Sequence, residues 1–281
     1  MPTHMAKRTI DKKPAARPFA SPAIDPDDIE RAAFVLFERY GAVDGEPHAH
    51  RKGQLLYASE GVVRVETDAG SWIVPPQRGV WLPPGVRHRI VAARAFTLCT
   101  LYLAPARARG LPKRSETVNI TPLARELLLE AARVGWRYPK RGAQARLLDV
   151  LIEQIASLPR TSLHLPEPQD RRLRAITAAL RENPASNDTL AAWSKRVGAS
   201  SRTLARLFVK EAKLSFARWR QQLRLLVAIE ALAQGRSVTA AALDVGYQDV
   251  SAFISMFRQA LGVTPGTYFG ENQKPQDLTH K

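Results

Sequence analysis

The chain has 281 residues and a formal net charge of +16, from 42 Lys+Arg against 26 Asp+Glu. That length suits about two domains, a hydrophobic content of 45% excludes wholesale disorder, and no run of about 18 apolar residues offers a membrane helix. The basic N-terminus lacks the apolar stretch of a secretory signal, and one cysteine excludes an intrachain disulfide or a CxxC motif, so a cytoplasmic protein is expected. The basic excess favours a polyanion as partner, nucleic acid before anionic membrane. It is spread over both halves of the chain, so charge alone does not say which half binds.

Residues 1–26 are rich in Pro, Lys, Arg and Ala and read as a disordered basic arm. Its Lys7, Arg8, Lys12, Lys13 and Arg17 are either solvated or phosphate contacts. Residues 27–115 have the texture of strands. Apolar runs at 34–37, 54–59, 62–66, 71–74, 80–82, 88–92 and 96–103 are separated by Gly and Pro, the pattern of a sandwich or small barrel. Cys99, inside the last run, reads as a buried strand residue. Residues 116–158 carry two helical stripes. Thr121-Pro122 caps the first, with Leu123, Leu127, Leu128 and Ala131 on one face. The second runs from Ala143 to Leu158. The pair either packs on the barrel or makes a homodimer contact. Residues 159–169, with three prolines, read as a linker, residues 170–270 as helical, and residues 271–281 as a tail.

The helical part contains an internal repeat. Residues 190–198 match 238–246 at an offset of 48, pairing Ser194 with Ala242, Val197 with Val245 and Gly198 with Gly246. After the turn the offset becomes 49, and Leu204, Leu207 and Phe208 match Phe253, Met256 and Phe257. Each copy reads as helix, Gly-containing turn, helix: a helix-turn-helix whose second helix buries one face and frees the other. Phe216 to Gln234 reads as the helix that connects the copies, with Trp219 in its core stripe.

With this repeat, 170–270 resembles the DNA-binding domain of AraC-family transcription regulators. The match runs through Ala242, Gly246-Tyr247, Phe253, Phe257-Arg258, Gly262 and Thr264-Pro265, and through Ser200-Ser201-Arg202-Thr203-Leu204 to Phe208. Arg224-Leu225 fits the pair usual in the connecting helix, whereas Phe269 stands where Arg is common. The resemblance implies that the two second helices enter successive major-groove segments of duplex promoter DNA, about 34 Å apart. On the first, Ser201, Arg202 and Arg206 are the base-reading candidates, with Ala205 beside them, since Arg grips guanine O6 and N7 bidentately. On the second they are Gln248, Ser251 and Ser255, with Asp249 as a helix cap. Lys210, Arg218, Arg220, Arg224 and Arg258 are the phosphate candidates.

The strand region carries His48-Ala49-His50, then Gln54 and Gly61, and later Gly79, Pro83, Gly85 and His88. This is similar to the two motifs of the cupin family, with Gln54 in place of the usual Glu and a shortened second motif. The resemblance implies an α+β chain: a cupin-like β-barrel or jelly roll plus two helices, followed by an all-α tandem helix-turn-helix domain. It implies an effector pocket drawn from His48, His50, Gln54, Tyr57, Arg64, Trp72, Trp81 and His88. His48, His50 and His88 are also candidate ligands for a divalent metal. The expected function is sequence-specific transcription regulation, with the barrel sensing a small molecule or metal and RNA polymerase as a further partner. The alternative is a cupin metalloenzyme, an oxygenase or isomerase, fused to a DNA-binding domain.

Overall fold

The computed structural model describes residues 24–161 and 163–270. Most of the expected basic arm and the whole expected tail lie outside the described residues.

The N-terminal half is built of antiparallel strands: β1 (Ala33–Tyr40), β2 (Val43–Asp44), β3 (Gly53–Glu60), β4 (Val63–Thr67), β5 (Gly70–Val74), β6 (Arg78–Leu82), β7 (His88–Ala92), β8 (Phe96–Leu103) and β9 (Glu116–Asn119). Helices α1 (Pro122–Val134) and α2 (Ala143–Ala156) follow, then β10 (Arg160–Thr161) and β11 (His164–Pro166). One sheet has the order β1-β8-β3-β6-β9-β10, the other β11-β5-β4-β7-β2. The seven apolar runs are all strands. The stretch expected to be a linker is instead paired: β10 adds to β9 and β11 to β5. β9, beyond the expected barrel boundary, pairs with β6.

Side chains alternate across a strand, and this sorts the core into layers. Leu56, Ala58, Val63, Val65, Trp72, Val74, Val80, Leu82, Ile90 and Leu98 pack between the two sheets. Leu55, Tyr57, Trp81, Cys99 and Leu101 point the other way and pack with Leu128, Leu148, Leu151 and Ile155 of α1 and α2. The helical pair therefore covers the first sheet. Thr121 caps α1 by accepting from Ala124 N. Leu123 and Val150 stay exposed at 56% and 44%. Cys99 is buried, which pushes its thiol up to about 12.

The C-terminal half comprises α3 (Arg171–Glu182), α4 (Leu190–Val197), α5 (Ser201–Ala212), α6 (Phe216–Ala233), α7 (Val238–Asp244), α8 (Val250–Leu261) and α9 (Pro265–Gly270). Asp170, Thr189, Ser200, Ser215, Ser237 and Asp249 accept backbone N–H groups at the starts of α3 to α8, each cap contributing about 1 kcal/mol. Its core continues into Ile73 of β5, Leu165 of β11 and Leu163 just before β11. The layers are thus helical pair, sheet, sheet, helical domain. Among the described residues no helix is long and apolar enough to cross a membrane.

Candidate functional site

The repeat folds as two helix-turn-helix units, α4–α5 and α7–α8, joined by α6. Gly198 ends α4 in the left-handed region at φ 66°, and Gly246 follows α7 at φ 82°, which an L side chain resists. Leu204 and Phe208 of α5, and Phe253 and Phe257 of α8, are fully buried. On the opposite face of α5, Arg202, Ala205, Arg206 and Lys210 are exposed, with Ser201 half-buried at the start. On α8, Ser251, Ala252, Ser255, Arg258, Gln259 and Ala260 are exposed, with Gln248 just before the helix. Asp249 is spent on its helix, accepting from Ser251 N at 2.9 Å and Ala252 N at 3.2 Å.

Two of the phosphate candidates are engaged inside the domain. Arg224 is 9% exposed. Its Nε donates to Pro184 O at 2.9 Å, and its Nη2 donates to Ala185 O, Ser186 O and Asn187 Oδ1 at 3.2, 3.0 and 3.0 Å. These bonds engage the guanidinium inside the domain, where it serves the fold. It ties α6 to the loop before α4 and lies against the α7–α8 turn. Burial, its largest influence, holds its pKa below the usual arginine value. Arg220 donates to Asp188 O at 3.0 Å and lies over the Phe216 ring. Arg218 and Lys210 are exposed, with Arg218 directed to Gln221.

Four of the eight expected pocket residues meet. His48 and His88 exchange backbone hydrogen bonds of 2.9 and 2.8 Å across an isolated bridge, and Gly85 N donates to His50 O at 2.8 Å. The rings of His48 and His50 are 5.0 Å apart, and those of His48 and His88 4.4 Å. His88 and Gln54 are each 2% exposed, while His48 and His50 are half-buried. The Nδ1 of His48 faces Glu46 O and that of His88 faces Val86 O, both at 2.9 Å. A carbonyl can only accept, so in the neutral rings Nδ1 carries the proton and Nε2 the lone pair. Gln54 Nε2 then donates to His88 Nε2 at 2.6 Å. Burial pushes His88 down to about 4, so it is neutral near pH 7. Burial and then the neighbouring His48 lower His50 as well.

One nitrogen from each of His48, His50 and His88 lies within 4.8 Å of the others, a spacing that suits a shared cation. Asp25 and Asp27 form a second such set with His50. Sequence reading missed them because they flank the boundary between the expected arm and the expected barrel. There Asp27 accepts from Arg51 N at 2.7 Å and Lys52 N at 3.3 Å.

The other four expected pocket residues lie elsewhere, three of them because of strand parity and Trp72 because of its distance across the sheet. Tyr57 and Trp81 face the helical pair, and Trp81 Nε1 donates to Pro112 O at 2.9 Å. Trp72 faces the space between the sheets but stacks on His164 at 4.3 Å, two strands from His88. Arg64 sits between the inward Val63 and Val65, so it faces out. Its Nε lies 3.3 Å from Glu230 Oε1 of α6, and its Nη1 3.6 Å from Glu66 Oε1.

Arg64 thus marks a seam between the halves that sequence could not reveal. Arg94 Nη1 donates to Gln234 O at 2.8 Å, Trp219 Nε1 to Pro166 O at 2.9 Å, and Tyr268 OH to Pro76 O at 2.8 Å. Burial raises the Glu230 carboxyl, and Arg64 opposes that rise. Along the seam a cleft of about 610 Å³ lies between 42–44, 61–64, 91–95 and the end of α6.

Residues 32–192 match the family model of the AraC-like ligand binding domain, and residues 193–271 match that of a helix-turn-helix domain. The HTH-type transcriptional regulator NimR of Escherichia coli K12 is 36% identical over 246 residues, 87% of this chain and 90% of that protein. The HTH-type transcriptional regulator RipA of Corynebacterium glutamicum is 32% identical over 203 residues, 67% of this chain and 60% of that protein. Among solved structures, ToxT of Vibrio cholerae superposes with a TM-score of 0.38 at 12% identity, over 87% of this chain and 100% of that one.

Proposed function

The chain belongs to the AraC family of transcription regulators, with an N-terminal ligand-binding domain and a C-terminal helix-turn-helix DNA-binding domain, and from that premise we propose how its residues divide the work. Arg202 and Arg206 of α5 read bases, while the second unit, whose base-facing candidates Gln248, Ser251 and Ser255 are uncharged, mainly positions the domain. The observation that carries this is the pair of guanidinium groups one helical turn apart on the solvent face of a capped, buried second helix. The test is competition between the gene's own upstream DNA and a shuffled duplex at fixed salt. Strong preference for the former is expected. Equal competition with a steep salt dependence would leave only charge-driven binding.

The sensor reading places a small organic effector at His48, His50, Gln54 and His88. The neutral His88, the neighbouring imidazoles and a buried amide suit a polar ligand held by hydrogen bonds. Binding then changes the seam at Arg64–Glu230 and Arg94–Gln234, and hence how the DNA-binding domain is presented. A ligand moves this equilibrium only by its differential affinity for the two states. The exposed Leu123 and Val150 of the helical pair supply a homodimer contact. The barrel acts as a sensor and not as an oxygenase or isomerase, and the protein works in the cytoplasm beside its promoter.

A second reading, favoured by the nitrogen spacing, gives His48, His50 and His88 a divalent metal. Gln54 would then have to turn its amide away from His88 Nε2. Metal analysis of tag-free protein beside a His48→Ala/His50→Ala variant separates the two. About one ion per chain, lost in the variant, favours the metal. No ion after incubation with Zn, Ni, Mn or Fe favours the organic ligand.

A further inference from the structure

Arg78 opens β6 and is 8% exposed. A buried arginine is ordinarily paired, because an uncompensated charge in a low-dielectric interior is strongly unfavourable. Here Nη1 donates to Gln77 O at 3.3 Å. Nε is buried with no hydrogen-bond partner, and among the described residues no carboxylate pairs with the guanidinium. Burial lowers its pKa, and the neighbouring Tyr268 opposes that fall.

The surroundings are polar and equally unsatisfied. Arg78 lies directly opposite Asn119 on β9, and Val80 opposite Thr117. Opposed residues of an antiparallel pair share a face, and Val80 faces the space between the sheets. Asn119 Oδ1 and Thr117 Oγ1 are both buried without a partner. One short stretch of sheet therefore collects a cation edge, a hydroxyl and a carbonyl oxygen that nothing described satisfies.

We propose that Arg78, with Thr117 and Asn119, forms a carboxylate-binding site at the seam, separate from the histidine site. The Nε–Nη2 edge of a guanidinium matches a carboxylate with two parallel hydrogen bonds, and the Thr117 hydroxyl donates a third. Asn119 Oδ1 accepts from a hydroxyl or amino group on the same ligand. The site adjoins the contact that Tyr268 of α9 makes with Pro76, and the Tyr268 ring lies 5.9 Å from that of Phe257 on α8. An anion at Arg78 therefore bears on the docking of the second helix-turn-helix unit. Two sources share this chemistry: a free small carboxylate, or the side chain of Glu271, the residue that follows α9.

The experiment is thermal unfolding of the full chain in acetate and in chloride at equal pH and ionic strength, for the wild type, Arg78→Met, Arg78→Lys and Glu271→Gln. A ligand that binds only the folded state raises its melting temperature. For a free carboxylate, acetate raises the wild-type midpoint by roughly 2–4 °C and leaves Arg78→Met unmoved. Arg78→Lys keeps the charge but loses the two-pronged edge, so it folds and loses most of the response. If Glu271 supplies the group, the wild type ignores acetate, while Glu271→Gln melts lower and gains the acetate response. A wild type and a Glu271→Gln chain that both ignore acetate overturn the proposal. None of these variants alters the histidine site, so this failure leaves the effector reading standing.

Discussion

In the first helix-turn-helix unit, a Cβ added to Gly198 would meet nothing within 4 Å; in the second, a Cβ on Gly246 would come within 2.6 Å of Ala185 O and 2.8 Å of Arg224 Nη2. The exposed faces differ in the opposite sense. The first unit presents Arg202 and Arg206, the second Ser251 and Ser255. The unit with the tighter turn has the less informative DNA face. On the proposed assignment the duplicated motif divides its duties: one copy reads and the other is held in place. Arg224 is the fastener, since it binds the loop before α4 and lies against the turn of the second unit.

Removing the fastener should have the largest effect. Arg224→Met strands three backbone carbonyls and a side-chain oxygen, and we expect a loss of about 3–4 kcal/mol of stability, read by denaturant unfolding. If Arg224 were instead a phosphate contact, stability would hold and the salt dependence of DNA binding would become shallower.

The turns come next. Gly246→Ala meets both an unfavourable φ and backbone atoms, so a cost of roughly 2–3 kcal/mol is expected. Gly198→Ala meets only the unfavourable φ, so about 1 kcal/mol is expected. Equal costs in the two would erase the distinction between an open and a packed turn.

The reading faces follow. Arg202→Ala and Arg206→Ala should each lose roughly 1–3 kcal/mol of DNA affinity and relax preference at one base position, with stability unchanged. Full discrimination retained by either variant would remove that residue from the base-reading set.

How much of this was legible in advance differs between the halves. The helical repeat was readable because helix cores and turn glycines recur locally, so Gly198, Gly246, Leu204 and Phe253 announce themselves. The strands were readable as apolar runs, but their facing was not used to the full. Gln54 and Tyr57 sit an odd number of residues apart on β3, so they cannot share a face; the same parity separates Arg64 from its inward neighbours Val63 and Val65. That signal was present in the sequence. The burial of Arg224 had only a faint one, its place among the apolar residues 223–226. The pairing of β9 with β6 and of β11 with β5 had none, because short strands beside prolines look like linkers until a partner is in view. The contacts Arg64–Glu230 and Tyr268–Pro76 join residues more than 150 positions apart, beyond any local pattern.

The smallest effect is also the sharpest test of the division. Ser251 and Ser255 carry single hydroxyls on the exposed face of α8. Each can make one neutral hydrogen bond to DNA, worth about 0.5–1.5 kcal/mol in general, and water readily replaces it at an open interface. Ser251→Ala and Ser255→Ala should therefore cost about 0.5 kcal/mol each, and the base preference of the site should not change. If Ser255→Ala cost as much affinity as Arg206→Ala and altered the preferred sequence, the second helix would be a reader in its own right. The packed Gly246 turn would then serve to aim that helix at its bases, and the two units would differ in chemistry but not in role.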